Sequence, residues 1–481
     1  MESLRIVLAA SEVVPYAKTG GLADVAGALP KALAQLGHDI AVIMPYYRTI
    51  KIGERIIDDL DVPFLGTLKR SSVRFERSAN VPIYFIEQDD YYGRDQFYGE
   101  RDDIERFAYF SRATLELIRR LGRAPDVIHC NDWMTGLIPV YLRTNYATDP
   151  YYTQTATILT IHNLAFQGMF DANALSLFGL DPGLYYGPRG LEFSGSASTL
   201  KGGILYADAI TTVSRRYAEE IQTPDYGFGM NALLSERRYS LIGILNGIDI
   251  DEWNPVTDPH IPARYSIDDL SGKRICKQEL LKRYLLPEDL DRPLIGVISR
   301  MTDQKGFDLI MQIIDRILET PANFVLLGSG ADVYERYFQA VRDSRPDRVG
   351  VYFGFNNALA HQIEAGCDIF LMPSYYEPCG LNQMYSLRYG TVPIVRATGG
   401  LDDTVENFDR ARRQGNGFKF YDYRADQLLE RIYEALIAYA DQEVWRQLVI
   451  NGMKQDFSWE NSARKYADVY RAVRRQWAAS G

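Results

Sequence analysis

The sequence predicts an α/β protein made of two doubly wound domains, each with a parallel sheet covered by helices. Three observations support this prediction. Short apolar runs alternate with amphipathic helical segments, the alternation restarts near Pro293, and 481 residues are too many for one compact domain. Apolar strands that alternate with helices are typical of parallel sheets buried on both faces.

The first series of elements opens with the apolar run Leu4–Ala9, which predicts a buried strand. The next segment has leucines at helical spacing and Gly37 as a candidate cap, and Pro30 should bend this helix. Helices are expected at Ala23–Leu36, at Glu105–Leu121 and after Ser214. Further strands are expected at Ile40–Met44, Ile83–Glu87, Asp126–Cys130, Ala156–His162 and Asp208–Val213.

The second series begins after a turn-rich stretch, Asn246–Pro255, which we interpret as the seam between the domains. Its expected strands are Leu294–Ser299, Asn323–Gly328, Gly350–Gly354, Asp368–Met372 and Val392–Val395, with helices at Phe307–Leu318, Ala425–Tyr439 and Trp459–Trp477. The predicted organisation is an N-terminal domain over 1–246, a C-terminal domain over 247–456 and a final helical segment over 457–481.

Composition excludes several classes of function. A formal net charge of −10, without a long Lys/Arg cluster, disfavours nucleic acid and anionic lipid as partners. The four cysteines contain no C-x-x-C pair, which predicts a reduced cytoplasmic protein without disulfides or a zinc site. No signal peptide and no membrane span are expected from the apolar runs.

A glycine pair follows the first strand in Lys18-Thr19-Gly20-Gly21-Leu22-Ala23-Asp24-Val25. Glycines let a ligand approach the backbone, and the start of the next helix directs amide N–H groups at an anion. The spacing matches neither the dinucleotide fingerprint nor a P-loop. The alternative is a tight strand-to-helix turn with a solvated lysine.

Two cations, Arg300 and Lys305, follow the first strand of the second series. Fixed positive charges there suit a diphosphate, and they would stabilise the charge that develops on a leaving phosphate. The alternative is a solvated basic loop.

Glu377 begins the stretch Glu377-Pro378-Cys379-Gly380-Leu381 after another strand. A carboxylate there could bind sugar hydroxyls and stabilise positive charge at an anomeric carbon. Cys379 has no general base near it in sequence, so a buried structural thiol is the better interpretation. The competing interpretation of Glu377 is an exposed acid in a Pro-Gly turn.

Polar residues also follow two strands of the first series. His162 and Asn163 end one strand, while His129, Asn131 and Asp132 end the preceding one. The carboxyl ends of parallel strands meet at one sheet edge, which is where ligands of open α/β sheets bind. Alone, His162 would be interpreted as a capped loop histidine, but the clustering favours function.

A second glycine pair, Gly399-Gly400, also follows a strand and opens a helix. It could cradle a phosphate or a ribose, or it could simply turn the chain.

Six blocks of the sequence together resemble the bacterial glycogen synthase and plant starch synthase family. They are VLAASEVVPYAKTGGLADVAGALPKAL, TIHNLAFQGMF, LKGGILYADAITTVS, LNGIDIDEWNP, SRMTDQKG and PSYYEPCGLNQMYSLRYGTVPIVRATGGLDDTV, in the family's order. The resemblance implies a GT-B architecture, with two Rossmann-like domains, an active site in the cleft between them and a final helix that crosses back to the N-terminal domain. It also implies a glycosyltransferase that elongates α-1,4-glucan with retention of configuration.

The resemblance also assigns roles to residues. His162, Arg300, Lys305 and Glu377 are the expected catalytic group, with His162 on the glucosyl unit and both cations on the diphosphate. Substrate binding is assigned to Lys18, Gly20, Gly21, Asp24, Asp132, Asn163, Asn246, Cys379, Gly380, Leu381, Gly399, Gly400 and Thr404. The implied donor is ADP-glucose, and the implied acceptor is the non-reducing end of glycogen or a malto-oligosaccharide. No cofactor, metal or obligatory protein partner is implied.

Several alternatives stay open at this point. UDP-glucose is the other candidate donor, because the sequence does not place the contacts that select the base. A sucrose or trehalose-phosphate synthase would share the C-terminal motifs but is not expected to carry KTGGLADV. A non-catalytic glucan-binding relative would be expected to lack some of Lys18, Arg300, Lys305 and Glu377, all of which are present. A dehydrogenase lacks support because the dinucleotide fingerprint is missing.

Overall fold

The structure, a computed structural model, describes residues 3–187 and 189–480, and side chains as far as residue 476. Contacts between residues divide the chain into two compact units. The first unit runs to Gly247 and includes the segment from Trp459 onward, and the second unit is Ile248–Ser458.

The first unit is built on a nine-stranded sheet in the order β12-β11-β7-β6-β1-β2-β5-β4-β3. A small antiparallel sheet, β8-β10-β9, accompanies it. The strands are β1 (Arg5–Ala9), β2 (Asp39–Pro45), β3 (Glu54–Phe64), β4 (Thr67–Ser78), β5 (Val81–Glu87), β6 (Val127–Asn131), β7 (Ala156–Ile161), β8 (Met169–Phe170), β9 (Glu192–Phe193), β10 (Ser196–Ser198), β11 (Ala209–Thr212) and β12 (Leu241–Gly243).

The helices of this unit connect the parallel strands. They are α1 (Gly21–Gln35), α2 (Asp89–Tyr92), α3 (Asp103–Arg120), α4 (Leu137–Arg143), α5 (Ala174–Leu177), α6 (Thr199–Tyr206), α7 (Arg215–Glu220) and α8 (Asn231–Glu236). Side-chain caps start three of them: Gln88 accepts from the Asp90 amide, Ser198 from the Lys201 amide and Ser214 from the Tyr217 amide.

The prediction of parallel pairing was wrong at one edge of this sheet. Strands β3 and β4 form an antiparallel hairpin, and β4 pairs antiparallel with β5. The turn consists of Leu65 and Gly66, with φ angles of 52° and 70°. This geometry is usually signalled by Asn-Gly or Asp-Gly, so a leucine at the first position hides the hairpin in the sequence.

The second unit is built on a six-stranded parallel sheet in the order β15-β14-β13-β16-β17-β18. Its elements are α9 (Ser271–Arg283), β13 (Leu294–Ile298), α10 (Phe307–Glu319), β14 (Asn323–Gly328), α11 (Asp332–Ser344), β15 (Val349–Phe353), α12 (Asn357–Gly366), β16 (Ile369–Met372), α13 (Asn382–Arg388), β17 (Val392–Arg396), α14 (Gly399–Thr404), β18 (Phe418–Phe420), α15 (Ala425–Tyr439) and α16 (Gln442–Met453). The strands that the sequence predicted in both units coincide with observed strands to within two residues.

Helix α10 shows why the apolar pattern identifies these elements. Phe307, Ile310, Ile314 and Ile317 recur at helical spacing, and each is fully buried in the core of the second unit. The stripe covers the parallel sheet, and the sheet in turn holds the loops at its carboxyl edge. Those loops carry the predicted cations.

The last helix, α17 (Trp459–Ser480), packs against α1 and β7 of the first unit. Its Tyr470 hydroxyl lies 2.8 Å from His129 Nδ1, and Arg474 Nε donates to Asp126 at 3.1 Å. The end of the chain therefore supports the sheet that carries His162.

Candidate active site

In the first unit, Glu12 fixes the loop that carries Lys18. Its carboxylate is 3% exposed and accepts hydrogen bonds from the Thr19 amide and, at 2.8 Å, from the Thr19 hydroxyl. It also accepts one from the Tyr98 hydroxyl at 2.6 Å. Lys18 Nζ donates to Asp24 Oδ1 at 2.7 Å, while its side chain stays 55% exposed. The loop backbone is therefore fixed and the ammonium group remains accessible.

Gly20 and Gly21 lie where α1 begins, with open space beside their backbones. A Cβ at either position would have no atom within 4 Å. Gly20 has an extended φ of −154°, which any residue adopts. The fold therefore does not require glycine here, and the space fits the predicted approach of a ligand. Burial raises the pKa of nearby Asp24, and the Lys18 charge opposes that shift.

His162 directly follows β7, and Asn131 fixes its tautomer. Asn131 Nδ2 donates to the Ala9 carbonyl at 3.0 Å, so Asn131 Oδ1 is the atom that lies 2.9 Å from His162 Nε2. Nε2 must then carry the hydrogen, and Nδ1 keeps its lone pair. Burial lowers the pKa of His162 to about 3, so the ring is neutral.

Asp132 holds the backbone of the His162 loop. It adopts an unusual positive φ of 53° directly after β6, and its Oδ1 accepts from the His162 amide at 2.7 Å. Burial raises its pKa to about 7, against the hydrogen bonds from the His162 and Asn163 amides. The strained backbone of Asp132 thus places its carboxylate on two neighbouring amides, and these hydrogen bonds position His162.

Asn163 and Asn246, which were also predicted to bind substrate, belong to this unit. Asn163 Oδ1 accepts from the Ala165 amide at 3.1 Å, which shapes the loop after His162. Asn246 is 4% exposed, and its buried Oδ1 has no hydrogen-bond partner among the described residues.

In the second unit, a cavity of about 360 Å³ opens at the carboxyl edge of the sheet. Predicted residues that line it are Arg300, Lys305, Glu377, Gly380 and Leu381. The structure thus brings together side chains from the loops that follow β13 and β16.

Lys305 and Glu377 form an ion pair in the wall of this cavity. Lys305 Nζ lies 2.5 Å from Glu377 Oε2, and the Ser374 hydroxyl donates to the same oxygen at 3.1 Å. Both charged side chains are largely buried, with 18% and 10% exposure. Two donors on one oxygen fix the carboxylate and leave Oε1 as its other acceptor.

Arg300 lines the same cavity but is exposed. Within the described residues it has no acidic partner, whereas Lys305 is paired with Glu377. An arginine without a protein carboxylate keeps its donors for an anionic ligand.

The second glycine pair packs against the Glu377 loop and is not part of the cavity lining. A Cβ on Gly399, whose φ is +46°, would lie 1.9 Å from the Glu377 carbonyl oxygen, and one on Gly400 would lie 2.0 Å from the Cys379 carbonyl oxygen. Thr404 donates to the Gly400 carbonyl at 2.7 Å. Cys379 is itself buried. These four residues therefore support the Glu377 loop and do not line the cavity.

Sequence reasoning missed several residues of the site. Phe355 lines the cavity while its side chain is 90% exposed, and Gly328, Gly354 and Asn382 line it as well. Gly328 ends β14, and Phe355 follows β15, so the rule that ligands bind beyond the carboxyl ends of strands could have found both. Glu12 was missed because its role depends on contacts distant in sequence.

Comparison with known proteins places this geometry in a family. Residues 5–236 match the family described as starch synthase catalytic domain, and residues 282–452 match glycosyl transferases group 1. A glycogen synthase of Koribacter versatilis is 48% identical over 97% of this chain and 98% of its own length. Glycogen synthase 1 of Geobacter metallireducens is 45% identical over 99% and 97% of the two chains.

The chain belongs to the bacterial glycogen synthase and plant starch synthase family. It is a glycosyltransferase, and the predicted function in glycogen synthesis is confirmed by these relatives.

Solved structures agree with this family assignment. The catalytic domain of starch synthase IV from Arabidopsis thaliana, bound to ADP and acarbose, has a TM-score of 0.91 and 36% identity, and the match covers 98% of this chain and 100% of that chain. A sucrose-phosphate synthase from Thermosynechococcus elongatus has a TM-score of 0.61 at 17% identity over 99% of both chains, which shows the fold alone. The predicted GT-B class with two Rossmann-like domains is confirmed. Among the described residues, no helix is both long and apolar enough to span a bilayer.

Proposed function

We propose that this family member transfers glucose from ADP-glucose to the non-reducing end of an α-1,4-glucan, with retention of the α configuration. The observation that carries the proposal is the 360 Å³ cavity of the second unit, whose lining includes two cations and a fixed carboxylate. The plant relative of known structure was solved with ADP, which supports the choice of nucleotide.

The cavity suits each part of a sugar nucleotide. Arg300 and Lys305 supply positive charge for the diphosphate. The exposed ring of Phe355 offers a surface on which the base can stack. Glu377 Oε1 is available to accept hydrogen bonds from sugar hydroxyls, because Lys305 and Ser374 both bind Oε2.

We assign the reaction to a front-face displacement. The bond between the anomeric carbon and the leaving phosphate oxygen breaks, and a bond to the acceptor hydroxyl oxygen forms on the same face. The acceptor proton passes to the leaving phosphate, so the products are ADP and a glucan longer by one glucose. Arg300 and Lys305 stabilise the developing phosphate charge. Glu377, already bound by two donors, acts through its charge on the oxocarbenium-like centre.

Residues of the first unit are assigned to the glucosyl group and the acceptor. Neutral His162 offers Nδ1 as a hydrogen-bond acceptor for a sugar hydroxyl. Asp132 positions the His162 loop. The open space over Gly20 and Gly21 admits the donor, with the Lys18 ammonium nearby.

The proposal is tested by nucleotide release from the purified protein, with glycogen as acceptor and with ADP-glucose and UDP-glucose offered separately. The expected result is release of ADP that depends on glycogen, with the anomeric configuration of the new linkage read by NMR. Faster UDP release would overturn the donor assignment and keep the transferase. A β-linked product would overturn retention. Release from neither donor by folded protein would favour a glucan-binding role without catalysis.

A cytoplasmic location is part of the same proposal. The four cysteines are buried, and among the described residues no disulfide joins them. Free thiols are typical of proteins from reducing compartments, which supports this location.

A further inference from the structure

The loop that carries Arg300 and Lys305 also contains an acid, Asp303. We assign both cations to a diphosphate, and a carboxylate between them is unfavourable for that role. It would repel the phosphates and attract the cations themselves. Asp303 is exposed, and so is Arg300 three residues before it. The position of this carboxylate therefore decides how freely Arg300 can bind an anion.

Arginine and aspartate at a spacing of three residues form ion pairs elsewhere in this chain. Four such pairs, with distances from 3.0 to 3.7 Å, are Arg55–Asp58, Asp289–Arg292, Asp409–Arg412 and Asp468–Arg471. Arg300 and Asp303 have the same spacing, yet within the part of the chain that the structure describes no ion pair joins them. A contact other than their spacing must keep these two charges apart.

That contact is a hydrogen bond from Tyr334 of α11. The Tyr334 hydroxyl donates to Asp303 Oδ1, and the tyrosine is only 5% exposed. Its ring packs against Phe307 with 5.6 Å between ring centroids, which fixes the hydroxyl beside the turn Asp303–Lys305. Burial raises the pKa of Tyr334, and the bond to Asp303 raises it further, so the hydroxyl remains a hydrogen-bond donor near neutral pH.

A second tyrosine holds the next carboxylate of this region in the same way. The Tyr423 hydroxyl lies 2.5 Å from Asp308 Oδ1 and 3.1 Å from the Asp303 carbonyl oxygen. Among the described residues, neither Asp303 nor Asp308 forms an ion pair with a cation. Tyrosine hydroxyls therefore replace cations as the partners of both acids, and Arg300 is not engaged by either.

We propose that Tyr334 is a positioning residue for donor binding, because its hydroxyl holds the Asp303 carboxylate away from Arg300. The inference rests on the proposed function, in which Arg300 binds the diphosphate. Without the hydroxyl, Asp303 would pair with Arg300 as at the same spacing elsewhere, and the nucleotide would have to displace it. Tyr334 is not part of the cavity lining, so it acts through these two charges.

Two variants and one control test this role. Tyr334→Phe removes the hydroxyl and keeps the packing of the ring. The double variant Tyr334→Phe/Asp303→Asn also removes the released charge, which separates this role from a structural one. Tyr337→Phe is the matched control, because Tyr337 lies on the same helix and its hydroxyl donates to the Met311 carbonyl at 3.0 Å. Calorimetric titration gives Kd for ADP and for UDP, without sugar donor or acceptor, at about 0.1 M and about 1 M salt.

In Tyr334→Phe the Kd for ADP should rise by about fivefold at the lower salt concentration, the upper end of the effect of one solvent-exposed charge pair. The Kd for UDP should rise by the same factor, because both nucleotides carry the same diphosphate. The double variant should return to the parent Kd. At the higher salt concentration the factor should shrink toward one, since exposed charges are then screened. Tyr337→Phe should keep the parent Kd.

An unchanged Kd in Tyr334→Phe would overturn the inference. A rise that persists in the double variant, or that Tyr337→Phe shares, would also overturn it and would give the tyrosine a structural role only. Each of these results leaves the proposed function intact, because the parent protein still binds the nucleotide. A parent protein that binds neither nucleotide would overturn the proposed function and this inference together, whereas tighter binding of UDP would overturn the ADP assignment alone.

Discussion

Lys305 Nζ lies 2.5 Å from Glu377 Oε2, although the two residues are 72 positions apart in the chain. The contact joins the loop after β13 to the loop after β16, and both side chains are largely shielded from water. A pair of this kind carries a large energetic coupling, because loss of one partner leaves the other charge poorly solvated. The two predicted catalytic residues therefore act as one unit.

Substitutions of this pair should be strongly non-additive. Lys305→Ala and Glu377→Gln should each lower kcat by about 10²-fold, as for removal of one preorganised charge. In the double variant, kcat should fall by a factor far smaller than the product of the two single reductions. Steady-state kinetics with ADP-glucose and glycogen measures both. The exposed pair Lys282–Glu279 is the matched control, and full additivity at Lys305 and Glu377 would contradict the coupling.

Arg300 should act on catalysis without acting on stability. Its side chain is exposed and has no acidic partner among the described residues, so Arg300→Ala should leave the thermal midpoint unchanged. The loss of transition-state stabilisation should be about 3 kcal/mol, measured from kcat/KM. Arg412→Ala, at an exposed arginine of the same unit, is the control. A near-normal kcat/KM in Arg300→Ala would refute its phosphate role.

Much of the fold could be predicted from the sequence because its strands are continuous apolar runs. Strand β14 (Asn323–Gly328) is buried along its whole length, so its boundaries follow from hydrophobicity alone. The β3–β4 hairpin could not be predicted, because much of β3 is exposed and its turn begins with Leu65. Isolated edge strands lack the burial that makes inner strands recognisable.

The candidate site divides in a similar way. Candidate residues in glycine- or charge-rich motifs, such as Arg300 and Gly20, could be proposed from the sequence because their types deviate from ordinary helix and strand composition. Phe355 could not be found by type, since an aromatic residue is most often part of a core. Glu12 depends on contacts with Thr19 and Tyr98, and the second of these lies 86 positions away.

Phe355 should contribute to donor binding. Its side chain is 90% exposed and lines the 360 Å³ cavity in which we place the donor, so Phe355→Ala should leave stability unchanged. If the base stacks on it, KM for ADP-glucose should rise by the equivalent of about 1–3 kcal/mol, as for other base–aromatic contacts. Phe355→Tyr should retain the parent value. An unchanged KM in Phe355→Ala, with the surface lysine variant Lys282→Ala as control, would exclude stacking.

Asp132 should make stability depend on pH. Burial raises its pKa to about 7 in the folded protein, against about 4 in an unfolded chain. At pH values between these two pKa values, the folded state binds more protons than the unfolded state does. The contribution of Asp132 to the free energy of unfolding therefore falls as pH rises from about 4 to about 7. Asp132→Asn does not titrate and keeps an acceptor for the His162 amide. Its destabilisation relative to the parent should therefore shrink from about pH 4 to about pH 7.

Chemical denaturation at several pH values measures this difference. Asp58→Asn, at an 81% exposed aspartate of the same unit, should show no such trend. A destabilisation by Asp132→Asn that grows with pH would mean that the pKa of Asp132 is lowered in the folded protein.

The two glycine pairs should respond to alanine in opposite ways, because only one of them is required by the fold. At Gly399 a Cβ would lie 1.9 Å from the Glu377 carbonyl oxygen, and φ is +46°. Gly399→Ala should therefore destabilise the second unit by about 1–3 kcal/mol or more and should lower kcat by displacing Glu377. At Gly20 the added methyl group meets no protein atom, and the backbone is extended.

Gly20→Ala should keep the parent thermal midpoint and still lose activity, because the methyl group occupies space assigned to the donor. Calorimetry and kinetics on both variants give the comparison, and Gly122→Ala is the control for a glycine with positive φ and open surroundings. Gly122→Ala should lose about 1 kcal/mol of stability through backbone strain and no activity. If Gly20→Ala retained full activity, the donor would not approach this loop, and the roles assigned to Lys18, Gly20 and Gly21 would fall together.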